Sequence, residues 1–227
     1  MSMMILPFDA DAFFGVFGTY NLAIWPVQLI AYGLGALVVG SLRHPGPVAD
    51  RIIATILALM WFWTGAVYHW LYFAAINRVA LLFGAIFVAQ GAILLLAGWR
   101  RRLAFRLTRS FRSTAGLALV TYATIFYPLI GLVSGQVWPN LPIFGVTPCP
   151  VAIFSFGCLL LTVGQVPRWV LVIPVTWSIV GGSAALLLNV PEDWILLMSG
   201  PASVVLLLLV KPRIQHSRCS GILPRVP

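Results

Sequence analysis

The sequence predicts an all-α bundle of membrane-spanning helices, and three observations predict it. Of the 227 residues, 61% are hydrophobic and only 8% are charged, whereas a typical soluble domain is about 25% charged. Apolar runs of roughly 17–25 residues recur along the whole chain, and each can cross a hydrocarbon core about 30 Å thick. The charged residues lie in short loops between these runs. We therefore expect a single integral membrane domain over residues 1–227.

Seven spans are predicted from these apolar runs. Their approximate limits are 20–41, 52–73, 79–99, 115–135, 149–164, 169–189 and 194–210. Before the first span, residues 8–18 (FDADAFFGVFG) are expected to form a short interfacial helix, because Phe13, Phe14 and Phe17 can share one face. The fifth and seventh spans are short for a bilayer, so a count of six spans stays an alternative.

The basic residues predict which helix ends face the cytoplasm. The loop RRRLAFRLTRSFR contains Arg100, Arg101, Arg102, Arg106, Arg109 and Arg112. Placing this loop inside puts the N-terminus outside and the C-terminus, with a tail over 211–227, in the cytoplasm. Thirteen of the fourteen basic residues then lie inside, with Arg78 as the exception. The arginine cluster has two interpretations: it retains its loop at the cytoplasmic face, or it also binds anionic lipid headgroups.

The charge pattern disfavours several classes of function. The net charge of +9 does not predict nucleic-acid binding, because the basic residues lie in short loops between spans, where they set topology. No charged residue lies well inside a predicted span, which disfavours a proton relay based on buried carboxylates. No nucleophile–base–acid set, phosphate-binding loop or zinc spacing is present, so we expect neither an enzyme nor a bound cofactor.

Prolines and uncharged polar residues mark a candidate ligand-binding region between spans one, two and five. Pro26 and Pro150 lie near the outer ends of spans one and five, where each removes a backbone donor and frees a carbonyl. If spans one to three repeat as spans five to seven, the two prolines are equivalent, and paired interruptions of this kind are typical of transporter binding sites. The alternative is that membrane helices simply tolerate these prolines because neighbouring groups satisfy the freed carbonyls. The candidate ligand-binding residues are Pro26, Gln28, Tyr32, Trp61, His69, Thr147, Cys149 and Pro150.

His69 is the one histidine in a predicted span, and two interpretations of it stay open. It lies among Tyr68, Trp70 and Tyr72, which is typical of an aromatic belt at the membrane interface. Alternatively, it is a hydrogen-bonding group that faces the bundle. Trp61 precedes it by eight residues and shares its helix face.

The segment TPCP (147–150) follows a loop without charges, QVWPNLPIFGVTP (136–148), which we expect to fold back onto the bundle. Thr147 and the prolines suit a helix start. Cys149 has two interpretations, a structural turn that lines an entry path or a soft-metal ligand. Because Cys158 lies on the opposite helix face, no intrachain disulfide and no complete metal site are predicted.

These observations favour a channel-like or facilitative carrier for a small neutral or weakly charged solute. One alternative is a membrane sensor or accessory subunit that transports nothing. Another is a metal-handling membrane protein that uses Cys149. The sequence predicts a lipid bilayer as the surroundings and leaves the oligomeric state open.

Several segments match a pattern known from other proteins. They are YNLAIWPVQ, YHWLYFAAIN, FGVTPCP, VPRWVLVIPVTW and GGSAALLLNVPED. With these segments the sequence resembles an uncharacterised bacterial family of multi-span inner-membrane proteins, over residues 8 to about 200. The resemblance implies a multi-pass protein of the bacterial cytoplasmic membrane. It implies no activity, substrate or site residue.

Overall fold

The computed structural model describes residues 8–209, in which the chain is helical apart from turns, loops and one isolated bridge between Phe105 and Thr162. The tail expected over 211–227 lies outside the described residues. The α-helices are α1 (Ala10–Ala23), α2 (Val27–Ser41), α3 (Pro47–Trp63), α4 (Ala80–Trp99), α5 (Phe111–Thr121), α6 (Tyr127–Val133), α7 (Pro148–Leu160), α8 (Arg168–Leu188) and α9 (Trp194–Leu209).

Two of these helices continue into segments with the wider π-helical hydrogen-bond pattern. The first π segment, Thr64–Tyr72, extends α3, and a short 3₁₀ turn, Phe73–Ala75, follows it. The second π segment, Tyr122–Phe126, joins α5 to α6. A 3₁₀ turn at Pro191–Asp193 precedes α9. Because π segments within α-helices are frequent at functional sites, both are positions to inspect for function.

Five continuous helical segments are long and apolar enough to cross a membrane. They are Pro47–Ala75, Ala80–Trp99, Phe111–Val133, Arg168–Leu188 and Pro191–Leu208. The helices α1 and α2 form a sixth candidate if the bent pair counts as one span. The prediction of an all-helical chain with several membrane-length apolar helices is therefore confirmed.

The N-terminal region differs from the predicted interfacial helix over 8–18 and straight first span over 20–41. A single helix, α1, occupies Ala10–Ala23, and the chain then bends by 88° into α2. The bend lies at Pro26, which has no backbone N–H and cannot continue the α1 hydrogen bonds. Proline also disfavours helical geometry at the residue before it, here Trp25. The proline thus divides the expected span into two helices.

Helix α7 lies at the centre of the bundle and packs against α3, α5, α8 and α9. Every residue from 150 to 162 is buried. Its 13 residues rise about 20 Å, less than the roughly 30 Å of a bilayer core. Because its neighbours shield it, the helix has no need to match the lipid thickness. This explains why the predicted fifth span, 149–164, is short.

The loop over 136–148 packs onto the bundle, as its lack of charge leads one to expect. Residues 141–148 are all buried. The Asn21 side chain donates hydrogen bonds of 2.7 and 2.8 Å to the carbonyls of Pro139 and Leu141. The Tyr20 hydroxyl donates a 2.6 Å hydrogen bond to the carbonyl of Val146. These bonds attach the loop to α1 and hold the start of α7 beside it.

Two arginines of the predicted lipid-binding cluster make internal contacts instead. Arg106 forms an ion pair of 2.6 Å with Asp50 at the start of α3. Arg112 is buried and donates a 3.1 Å hydrogen bond to the Leu160 carbonyl, as well as bonds to the hydroxyl and carbonyl of Thr162. The starts of α3 and α5 and the end of α7 therefore meet at one end of the bundle.

Candidate functional site

A cavity of about 220 Å³ lies at the other end of the bundle, where α7 begins. Its walls come from α1, the first π segment, the start of α7, the second half of α8 and the turn before α9. Most of the lining is apolar, and aromatic side chains dominate it: Phe8, Phe13, Phe17, Tyr68, Phe73, Phe83 and Trp177. A concave, mostly apolar space with a few polar groups is the usual form of a small-molecule site.

His69 lines this cavity and is fully buried, at 0% exposure. Neither of its ring nitrogens has a hydrogen-bond partner within residues 8–209. Its ring lies 5.3 Å from the Trp177 ring and 4.7 Å from the Phe87 ring, between centroids. The first π segment carries it, and within that segment the adjacent Tyr68 is buried as well. Two adjacent side chains of one helix therefore both face the bundle interior.

Trp177, Cys149 and Asp193 all line the cavity. Trp177 Nε1 has no hydrogen-bond partner among the described residues. The indole N–H is a donor only, so it is available to an acceptor atom inside the cavity.

Asp193 supplies a carboxyl group to the cavity. It is 4% exposed, and its Oδ1 accepts a 2.5 Å hydrogen bond from the Tyr127 hydroxyl. Tyr127 is the first residue of α6, directly after the second π segment. The two π segments thus place His69 and Tyr127 at the same cavity, where both lie among its lining residues.

The neighbouring Glu192 is also buried, at 0% exposure. Its Oε1 accepts a 2.6 Å hydrogen bond from Gln136, and its backbone carbonyl accepts one of 2.8 Å from the Tyr122 hydroxyl. Its Oε2 has no partner in the described part of the chain. The sequence places the charged residues in short loops between the apolar runs. Here both acids are buried, because α6 and loop 136–148 fold over the turn that carries them.

Three of the eight predicted site residues line the cavity: His69, Thr147 and Cys149. Thr147 occupies the position before α7, but its hydroxyl donates back to the Ile143 carbonyl over 2.7 Å and does not cap the helix. Among the described residues, no group of three or more His, Cys, Asp and Glu side chains is placed to hold a metal ion. Cys149 and Cys158 are both free thiols.

The other five predicted residues lie elsewhere. Trp61 is buried and donates a 2.8 Å hydrogen bond to Ser155 on α7. Gln28 donates a 2.9 Å hydrogen bond to the Asn21 carbonyl across the α1–α2 bend. Tyr32 is 36% exposed and packs on Phe144 of the loop.

The two paired prolines are also separated from the cavity. Pro26 lies exposed at the bend between α1 and α2, and Pro150 is buried in the first turn of α7. Neither is among the lining residues. They shape the chain around the site and do not form it.

The eight candidate residues chosen from the sequence do not include Trp177, Asp193 and Tyr127, which line the cavity. One signal was available in the segment NVPEDW, because Glu192 and Asp193 are two of only five acidic residues in the chain. Placing them beside a tyrosine of α6 required the tertiary structure. Of the two interpretations of His69, the structure agrees with the one in which the side chain faces the bundle.

The fold and the cavity define a class: an all-helical protein with helices fit to cross a membrane and a small-molecule-sized space among them. The chain belongs to DUF6064, a family of unknown function, whose sequence profile matches residues 10–218. The expected resemblance to an uncharacterised family is thereby confirmed. No curated protein and no solved structure matches the chain.

Proposed function

We propose that this protein is a multi-pass membrane protein that binds a small solute in the cavity and acts as a facilitative carrier for it. The observation that carries the proposal is His69, a buried side chain in an aromatic cavity whose two nitrogens have no partner in the described part of the chain. A buried polar group without a partner costs about 1–3 kcal/mol. A bound solute that forms hydrogen bonds with the imidazole would remove this cost.

The proposed topology has seven crossings, with the N-terminus outside and the C-terminus in the cytoplasm. The crossings are the bent pair α1–α2, α3 with its π segment, α4, α5–α6, α7, α8 and α9. The contacts at the two ends of α7 support its place among these crossings. The segment before its first turn is held by Tyr20 through Val146, and its last turn is held by Arg112 through Leu160. Location in a bacterial cytoplasmic membrane rests on the sequence resemblance.

The size and lining of the cavity limit the solute. Its volume of about 220 Å³ lies below the range of about 300–1,000 Å³ found for drug-sized ligands. The solute is therefore small, with an apolar surface and few hydrogen-bonding groups. Side chains on the exposed face of α8, including Val180, Ser183 and Leu187, also line the space. These residues mark the side on which it opens.

A flux measurement with a blocked cavity tests the carrier. Ala184 lines the cavity, so Ala184→Leu fills part of it. Ala92 is exposed on α4 and does not line the cavity, so Ala92→Leu is the matched control. The measurement is uptake of radiolabelled glycerol, glycine and choline into proteoliposomes. We expect at least one solute to enter with the unmodified protein and the control, and at least fivefold more slowly with Ala184→Leu.

Equal uptake by the unmodified protein and Ala184→Leu, or uptake no faster than in protein-free liposomes, would overturn the carrier. One observation favours a second candidate, a sensor or accessory subunit that binds without transport. Below the cavity, α7 is buried on all sides, and the hydroxyl of its single serine, Ser155, is bonded to Val151 and Trp61. Saturable binding without flux would support this alternative.

We also propose that anionic lipid binds at the arginine loop, through the four arginines of the loop that are exposed. These are Arg100, Arg101, Arg102 and Arg109. Replacing all four by glutamine is expected to reduce the anionic lipid that co-purifies with the protein, measured by mass spectrometry. An unchanged lipid content would refute this site.

A further inference from the structure

We infer that the solute is a small organic cation, a quaternary or protonated amine that carries one hydroxyl or carbonyl group. This inference rests on the proposed binding site and names the chemical class that fits it. Four features of the cavity support it: its aromatic walls, its one carboxyl group, the acidic end of the molecule on which it lies, and its unpartnered hydrogen-bonding groups.

The aromatic walls suit a cation. The rings of Phe17, Tyr68 and Phe73 are stacked in a row, with centroids 5.5 and 5.7 Å apart and nearly parallel planes. Phe13 contacts Phe17 edge to face at 5.1 Å, and Trp177 stands on the side of His69. Tyr68 lies between the other two rings of this row, so its own faces are covered. An aromatic face that is open to the cavity attracts a cation electrostatically, and several such faces together form the usual site for quaternary ammonium groups.

Asp193 supplies a counter-charge within this aromatic lining. It is the one carboxylate side chain among the lining residues that the structure describes, and no lysine or arginine lines the cavity there. Its Oδ1 already accepts a hydrogen bond from Tyr127, which orients the carboxyl group. A buried carboxyl group stays ionised beside an opposite charge and otherwise takes up a proton. Because no described lining residue carries a positive charge, a cationic ligand is the partner that would keep Asp193 ionised.

The charge distribution of the whole molecule favours the same class. Glu192 lies directly before Asp193, and Asp9 and Asp11 lie at the start of α1 beside the lining residues Phe8 and Phe13. The chain nevertheless carries a net charge of +9. Among the arginines that the structure describes, Arg78 follows the lining residue Asn77, and the cluster over 100–112 lies at the opposite end of the bundle. A cavity at the acidic end of such a molecule concentrates cations near its opening.

The unpartnered groups define the rest of the ligand. Within residues 8–209, both ring nitrogens of His69 and the N–H of Trp177 have no hydrogen-bond partner. A neutral imidazole offers one donor and one acceptor. A hydroxyl group on the ligand can donate to the unprotonated ring nitrogen or accept from the protonated one, and a carbonyl group can accept from the indole. The cation therefore lies on the side of Asp193, and its polar substituent lies toward His69.

A pair of probes with the same shape and different charge tests this inference. Choline carries a trimethylammonium group and a hydroxyl, and 3,3-dimethylbutan-1-ol is its neutral carbon analogue. Binding of both to the purified full chain in lipid nanodiscs is measured by isothermal titration calorimetry. We expect choline to bind at least tenfold more tightly than the alcohol. Equal affinities, or no binding of either probe, would overturn the inference.

Two variants separate the charge from the hydrogen bonds. Asp193→Asn keeps an oxygen that accepts from Tyr127, and it should weaken choline at least tenfold while leaving the alcohol unchanged. His69→Phe removes the hydroxyl partner, and it should weaken both probes by a similar factor. If Asp193→Asn weakens both probes equally, the carboxylate acts on structure alone and the inference fails.

The outcomes for the inference and for the carrier are distinguishable. Choline binding without any flux would keep the cation site and overturn the carrier. Suppose instead that Ala184→Leu blocks glycerol flux and that the two probes bind equally. This result would support the carrier proposal and overturn the inference of a cationic solute.

Discussion

Tyr127 and Asp193 are 66 residues apart in the sequence, and the Tyr127 hydroxyl donates a 2.5 Å hydrogen bond to Asp193 Oδ1. Both side chains are almost fully buried. This contact joins the start of α6 to the turn before α9 and places a carboxyl group on the cavity wall. The stability of the fold and the chemistry of the site therefore depend on the same pair.

Removing the Tyr127 hydroxyl is expected to destabilise the protein. Tyr127→Phe deletes a hydrogen bond to a carboxyl group and should cost about 1.5–3 kcal/mol. Tyr122→Phe is the matched control, because its hydroxyl donates to a backbone carbonyl, that of Glu192, and should cost only about 0.5–1.5 kcal/mol. SDS titration in mixed micelles measures the free energy of unfolding of both variants. Equal losses of this free energy would contradict the role of the Asp193 carboxyl group as the acceptor of a strong hydrogen bond.

Replacing His69 by phenylalanine is expected to stabilise the ligand-free protein. The substitution removes two unpartnered nitrogens and keeps an aromatic ring, so the free energy of unfolding should rise by about 1 kcal/mol. Thr64→Val is the control. The Thr64 hydroxyl is buried and bonded to the Met60 carbonyl, so this variant should not be more stable than the unmodified protein. The melting temperature in detergent reports both changes. A loss of stability in His69→Phe would show that the imidazole has a structural partner.

The contact between α5 and α7 depends on a pair of glycines. A Cβ atom at Gly157 would lie 2.9 Å from the Gly116 carbonyl oxygen, which is too close for two packed helices. Gly157→Ala should therefore cost about 1–3 kcal/mol. Gly33→Ala is the control, because no atom lies within 4 Å of its Cβ position, and it should gain up to about 1 kcal/mol from helix propensity. Similar melting temperatures for the two variants would refute the close packing.

The proposed sidedness predicts which residues an impermeant thiol reagent can reach in intact cells. In a background with the native cysteines replaced by serine, Arg78→Cys should react from outside. Arg101→Cys should react only after the cells are permeabilised, because its loop is expected in the cytoplasm. Reaction of Arg101→Cys in intact cells would invert the topology.

Much of the helical architecture was predictable from the sequence. The segments Ala80–Trp99 and Arg168–Leu188 differ by one residue at most from the predicted limits 79–99 and 169–189. A long apolar run bounded by charged or turn-forming residues is sufficient evidence for such a helix, since its backbone hydrogen bonds are satisfied locally. The direction of the chain after Pro26 was not predictable. A proline removes a hydrogen bond, but the packing of neighbouring helices decides how far the chain bends.

The candidate site was predictable only in part. His69 and Cys149 could be selected, because a histidine in an apolar span and a cysteine between prolines are uncommon. Their common cavity with Asp193 and Trp177 could not be foreseen, because these side chains belong to elements far apart in the chain. For the same reason, the helix face of Trp61 suggested a ligand contact and could not reveal that its indole bonds to Ser155 on another helix.

The sequence by itself determined that the chain is helical, which segments are apolar enough to cross a membrane, and how the charges divide between the loops. These properties follow from local composition and from the need to satisfy backbone hydrogen bonds within each helix. Only the tertiary structure decided that α7 lies enclosed and that His69, Trp177 and Asp193 share one cavity. Those features depend on close packing between distant segments, which steric fit decides and hydropathy does not.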